Sequence, residues 1–422
     1  MDKKNKTLLL MVIALFLGYL PWYNFSAVVK YIAKDFSLSP GDTGLILSAF
    51  QLGYVVIVVI TGWLADKVGP KKVVAWATLL TAISSTAFAF LAKDFTSVLL
   101  LRLATGLSAG AIYAPGMALL SNWFAPNERG KAIGAYTAGL VAASAGGYFV
   151  AAPLAASYSW QTGILATSIP VFIAALIVFF LIEEKPAGGL SYDGAPGLAM
   201  GAPVGRPAPE GGYVGPVLLT GSYMGHMWEL YAFWGWIGPF MVACASAIGY
   251  ADAEAVKLGG LLAALIILIG APAVYITGLV ADKWGRTKTI MVAATCSLIP
   301  EFFFGYMYGW SLPLVVLVGV WIGFWVIADS AIYKAGLTEM TNPEIRTTVL
   351  GIQSAVGYSM TILAPMAFGR FLEYLNPGVE TTAATIWGPC FVMLGVGALF
   401  APLLAYLTRR VPQAKLMTGG KM

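Results

Sequence analysis

Charge is scarce in this chain: only 11% of its 422 residues are Asp, Glu, Lys or Arg, against about 25% in an ordinary soluble domain. So sparse a supply cannot cover a water-soluble protein of this size, which removes soluble enzymes as a class. Histidine occurs once, at His226, and cysteine three times, at Cys244, Cys296 and Cys390, each inside an apolar stretch. That leaves no disulfide framework and no metal cage, and no His-based nucleophile constellation; neither metal nor cofactor is expected. A phosphate-cradling GxxxxGK[ST] loop is missing, which argues against ATP-driven work. The balance of 25 basic and 20 acidic residues, net +5, is too small and too scattered for a nucleic-acid partner.

What the chain has instead is 59% apolar residues, gathered in long runs. A hydrocarbon core of ~30 Å takes about 20 apolar residues per helix. Twelve runs qualify, over roughly 7–29, 43–65, 73–92, 96–118, 132–154, 162–183, 214–240, 256–281, 289–308, 312–334, 347–369 and 384–408. They are continuously apolar, whereas barrel strands alternate over about ten residues, so the expected class is an all-α integral membrane protein. Residues 184–213, rich in Gly, Pro and Ala, read as a linker between a first six-helix bundle (1–183) and a second (214–422). Nineteen of the 25 basic residues fall on one side if the N-terminus is cytoplasmic, five on the other, and Arg102 lies within a span. The inside-positive bias therefore puts both termini and the linker in the cytoplasm, in a multi-pass protein of the cell (inner or plasma) membrane. The first run has no small-residue cleavage site and reads as a retained helix rather than a signal peptide.

An internal repeat supports the 6 + 6 division. Gly62, Asp66, Lys67 and Gly69 after span 2 recur as Gly278, Asp282, Lys283 and Gly285 after span 8, at an offset of 216 residues. The same offset carries Asn127-Glu128-Arg129 onto Pro343-Glu344-Ile345-Arg346, with one residue inserted before the arginine. The loop pattern Gly-x-x-x-Asp-x-x-Gly-x-Lys/Arg-Lys/Arg, present in both halves, resembles the signature of the major facilitator superfamily of secondary transporters. Arg102-x-x-x-Gly106-x-x-x-Gly110 in span 4 looks like a second motif of that family. The resemblance covers nearly the whole chain and implies two six-helix bundles around a central cavity, lined by spans 1, 4, 7 and 10. It also implies alternating access by a chain acting as a monomer in the lipid bilayer. Asp66 and Asp282 would then bridge the halves beside the N-termini of spans 11 and 5, where a helix carries about half a positive charge. Gly69 and Gly285 would permit the tight turns, and Arg129 and Arg346 would complete the gate.

An ionisable side chain at the bilayer centre costs at least ~2.5 kcal/mol, so each is a functional candidate. Five qualify: Arg102, His226, Glu229, Glu301 and Asp329. In span 7, Tyr223, His226, Glu229, Phe233 and Trp236 fall on one helical face; in span 10, Trp325, Asp329 and Tyr333 recur every four residues. Apolar surroundings disfavour an ionised carboxylate, so Glu229 and Asp329, assisted by His226, suit gain and loss of a proton near neutral pH. The alternative is a His226–Glu229 pair within the helix, with Asp329 bonded to Lys334 or Tyr333. Arg102 is expected to hold a substrate anion, to serve as counter-ion to one of the carboxylates, or to donate to backbone carbonyls; Glu301, in an outer helix, is expected to be structural. Span 1 offers Tyr23 and Asn24 beside Pro21, which frees a backbone carbonyl. Tyr113, Tyr136, Gln353 and Tyr358 complete the polar set.

General character leans toward the family branches that carry nitrate and nitrite, oxalate and formate, or monocarboxylates. The nitrate branch's arginines in spans 2 and 8 are missing, and so is the Gly-Pro motif that drug/proton antiporters carry in span 5. The expected function is proton-coupled secondary transport of a small organic solute, with a monocarboxylate or other small anion included. A multidrug/proton antiporter and a sensor built on a transporter frame are the alternatives. A channel would need a filter or a ring of charges, and neither is evident.

Overall fold

A computed structural model of the protein describes residues 2–184, 212–342 and 345–420. The expected linker lies almost wholly outside these residues, as do Pro343 and Glu344 of the second loop motif. Among the described residues there is no β-strand. Twelve helices among these residues are long and apolar enough to cross a membrane: Lys3–Phe36, Pro40–Val58, Pro70–Leu91, Phe95–Ser121, Lys131–Ser157, Trp160–Leu181, Val214–Ala247, Asp252–Trp284, Arg286–Met307, Leu312–Met340, Thr348–Leu375 and Gly388–Arg410. These are spans 1–12, and each falls where an apolar run puts it. Large apolar side chains such as Trp76, Phe90, Phe180 and Leu317 are exposed around the outside, as a surface solvated by lipid tails requires.

Helix starts follow local chemistry. Ser39 and Asp42 form a reciprocal capping box with Pro40 in the first turn of span 2, and Asp94 and Ser97 do the same for span 4. Several spans are interrupted at depth. Span 1 unwinds between Tyr19 and Asn24, span 4 between Ala109 and Tyr113, and span 10 between Trp325 and Ser330. Such breaks survive inside a membrane protein only where protein groups take up the freed backbone, and two of these breaks build the site below.

The duplication seen in sequence is present in the backbone. Gly69 and Gly285 occupy equivalent turns with φ of 92° and 104°, a region closed to other residues without strain. Arg129 donates to the Phe124 carbonyl oxygen at 2.9 Å, and Arg346 donates to that of Thr341, also five residues upstream, at 3.4 Å.

The two halves meet most tightly at the face opposite the loop motifs. There Lys30 reaches Asp252 at 2.8 Å, and Thr43 bonds Thr381 at 2.8 Å. Ser48 donates to the Ile362 carbonyl oxygen at 2.6 Å. Deeper in, Ser26 donates to the Gly235 carbonyl and Tyr148 to that of Trp234 at 2.8 Å. Spans 2 and 11 cross so closely that a β-carbon on Gly44 would lie 2.7 Å from the Pro365 carbonyl oxygen. Nothing larger than glycine fits at that crossing.

Candidate functional site

Arg102 is the anchor of the first half. Its guanidinium is 3% exposed and donates to the carbonyls of Pro21 at 2.9 Å and Trp22 at 2.7 Å, and to Asn24 Oδ1 at 3.2 Å. The carbonyls are those released where span 1 unwinds, so the expected backbone-donor role is present. Asn24 is fixed in turn by Thr167, to which its amide donates at 2.9 Å. A guanidinium has five N–H donors; three are used, and Nε is without a partner. The group lies over the Phe50 ring, 4.5 Å from its centroid.

Between the halves is a small cavity lined by Trp22, Tyr23, Leu47, Phe50, Gln51 and Arg102 from the first half and Tyr231, Gly235 and Pro365 from the second. It leaves about 10 Å³ to the centre of a water molecule, room for about one water, so the walls have closed on each other in this conformation. Trp22 Nε1, Tyr23 Oη and Gln51 Oε1 are buried without hydrogen-bond partners. Unpaired polar atoms at such depth cost free energy, which a polar ligand between the walls would recover. Sequence reasoning passes over Gln51; a single amide among apolar neighbours in span 2 is the signal that would have found it.

The second half holds a separate acidic cluster. His226 and Asp329 are each 1% exposed, with Nδ1 and Oδ1 2.9 Å apart; His226 Nε2 lies 2.6 Å from Ser330 Oγ. Both ring nitrogens are therefore engaged. If Ser330 donates to Nε2 the imidazole is neutral with its proton on Nδ1; if it accepts, either the ring is a cation beside the Asp329 carboxylate or a protonated Asp329 donates to Nδ1. The Tyr333 hydroxyl accepts from Ser222 at 3.3 Å, and the Tyr223 ring stacks on His226 at 5.9 Å. Asp329 sits in the unwound turn of span 10, where it ends one helix and starts the next.

Glu229 is also 1% exposed, one helical turn from His226 on the same face of span 7. Its Oε1 and both oxygens of Glu301 have no hydrogen-bond partner. Glu301 is thus a fully buried acid with neither oxygen satisfied.

Several expected pairings do not form. His226 does not pair with Glu229, because its imidazole turns to Asp329 on span 10. Lys334 bonds Ser354 at 2.7 Å instead of Asp329, which His226 already holds. None of His226, Glu229 and Asp329 lines the central cavity; the span 7 face that carries them packs into its own half, with Phe233 against Phe304 and the Trp236 indole donating to the Pro365 carbonyl at 3.1 Å. Tyr113 bonds Thr137 at 2.7 Å and stacks on Tyr136. Among the described residues no bridge from the loop acids is seen: Asp282 pairs within its own half with Arg286, one turn away, at 2.7 Å. Asp66 is exposed. In this conformation the halves are clasped at the other face, which leaves the loop acids to local partners. Among the described residues no group of three or more His, Cys, Asp and Glu could hold a metal ion.

Two broken-helix sites on facing bundles define a membrane transporter, and comparison with known proteins agrees. The chain belongs to the Major Facilitator Superfamily, whose sequence profile matches residues 11–365. It is 24% identical over 410 residues to a hexuronate transporter of Bacillus subtilis (strain 168), covering 95% of this chain and 93% of that one. It is 25% identical over 374 residues to a 3-(3-hydroxy-phenyl)propionate transporter of Escherichia coli (strain K12), covering 88% and 87%. Among solved structures, a bacterial homologue of the human lysosomal transporter Spinster, in an inward-facing and occupied conformation, superposes with a TM-score of 0.76. It is 16% identical, over 97% of this chain and 98% of that one, a likeness of fold. The protein is a multi-pass membrane transporter of small solutes.

Proposed function

We propose that the chain is a proton-coupled carrier of small organic anions working by alternating access. The observation that carries the reading is the division of charge. A guanidinium with unused donors faces the inter-half cavity, while the buried acids and the single histidine lie together in the opposite half. An arginine with a free edge suits a carboxylate, and the aromatic walls suit the body of an organic solute. The His226–Asp329 pair has more than one proton arrangement, and Glu229 is a further buried carboxyl one turn along span 7, which suits coupling. Two relatives of nearly full length are named for organic acids.

In this reading the basic loop-motif face is cytoplasmic. The clasped face is then external, and the two bundles, 1–183 and 214–422, rock about the cavity with 184–213 as tether. Asp66, Asp282, Arg129 and Arg346, with Gly69 and Gly285 at the turns, would engage when the cytoplasmic side closes.

The test is uptake by proteoliposomes of labelled glucuronate, 3-phenylpropionate and nicotinate, with and without an imposed pH gradient. Accumulation of at least one, stimulated by an inward proton gradient, is expected. Equal exchange of uncharged analogues with no response to pH would overturn the reading.

A further inference from the structure

Lys334 is a charged residue that the carrier reading leaves without a task. It lies on span 10 just beyond Asp329, on the loop-motif side of the His226–Asp329 pair, and is half-buried. Its ammonium donates to Ser354 Oγ at 2.7 Å and sits 4.5 Å from the centroid of the Tyr223 ring. Among the described residues no carboxylate lies within ion-pair distance of it, because Asp329 is taken by His226. An ammonium has three donors, and one neutral hydroxyl uses only one of them. A cation held at a partly dry position without a counter-charge is costly, and a contact with one aromatic face offsets a small part of this. Tyr223, on which it rests, packs against Gly357 of span 11, whose neighbour Tyr358 meets the Tyr54 ring of the first half at 6.0 Å, so the site borders the space between the halves. Gly357 leaves room for the Tyr223 ring: a β-carbon there would strike it.

We infer that Lys334, resting on the Tyr223 ring, is a second binding station for the substrate's carboxylate, on the loop-motif side of the Arg102 cavity; this rests on the carrier reading above. The anion would pass from a guanidinium on one bundle to an ammonium on the other as the halves move.

The test is binding of matched probes to the purified full chain: nicotinate against nicotinamide, and glucuronate against glucose. Lys334→Gln is expected to weaken binding of the carboxylate that the wild type accepts by about tenfold while leaving its neutral counterpart unchanged. Lys334→Arg should restore most of the loss, and Ser354→Ala, which removes only the internal hydrogen bond, should bind the carboxylate as well as the wild type or better. Equal effects of Lys334→Gln on charged and neutral probes, or a loss reproduced by Ser354→Ala, would show that the lysine only holds its own bundle together. If the wild type binds no carboxylate, the carrier reading falls and this inference with it. If the wild type binds and Lys334→Gln binds equally, only this inference falls.

Discussion

His226 and Asp329 join spans 7 and 10 through a 2.9 Å contact between Nδ1 and Oδ1, with both side chains out of reach of solvent. Removing one partner of a buried ion pair costs ~3–5 kcal/mol, because it strands the other. His226→Phe should therefore lower unfolding stability in detergent by about that amount. Replacing both, as His226→Phe with Asp329→Leu, should recover most of it. Additive losses in that double-mutant cycle would mean the two groups do not interact.

Arg102 acts on the backbone of span 1 as well as on the cavity. Arg102→Ala would leave the carbonyls of Pro21 and Trp22 unpaired, at ~1–3 kcal/mol each. Arg102→Lys should not rescue it, since an ammonium cannot span two carbonyls and an amide in a plane. Hydrogen exchange over residues 19–24 reads this directly: both variants should exchange faster there than the wild type.

Spans 2 and 4 cross at Gly106, where a β-carbon would collide with the Phe50 carbonyl. Gly106→Ala should destabilise the first half by ~1–3 kcal/mol through overpacking, and by moving Phe50 it should also widen or distort the cavity floor. A melting temperature equal to that of the wild type would show that the crossing is loose.

Asp94 gives a pH-dependent prediction outside the membrane. Its carboxylate accepts the Ser97 backbone N–H at 2.8 Å, and that bond, followed by the Ser97 side chain, holds the carboxyl below its usual value. A depressed carboxyl stabilises the fold above its unfolded-state value, and the contribution is lost as pH falls through the folded one. Amide exchange at 95–98, corrected for intrinsic pH effects, should rise on acidification in the wild type. In Asp94→Ala it should start high and stay level.

How much of this the sequence discloses depends on the distance between partners. The twelve spans and the duplicated turns at Gly69 and Gly285 are visible because each is encoded locally, by a run of apolar residues or a motif at matched spacing. The break at Pro21 is visible for the same reason. The partner of Arg102 lies some 80 residues away, and the choice of His226 between Glu229 and Asp329 depends on how span 7 is rotated against span 10, which periodicity does not determine. The same rotation turns the acids into their own half rather than toward the cavity. Gln51 carries no pattern beyond being polar in an apolar run, and Glu301 reads as structural until both its oxygens are seen buried without a partner.

Proton movement tied to substrate entry is the decisive measurement. Wild-type proteoliposomes with a pH-reporting dye inside receive external glucuronate, or whichever carboxylate probe the uptake screen identifies, with no imposed gradient, alongside Asp329→Asn and Glu229→Gln liposomes. The expected result is acidification of the lumen in step with uptake by the wild type, and none in the variants, which retain counterflow of labelled for unlabelled probe. Uptake by the wild type without a pH change, or a pH change undiminished in both variants, would contradict a coupling role for the buried acids.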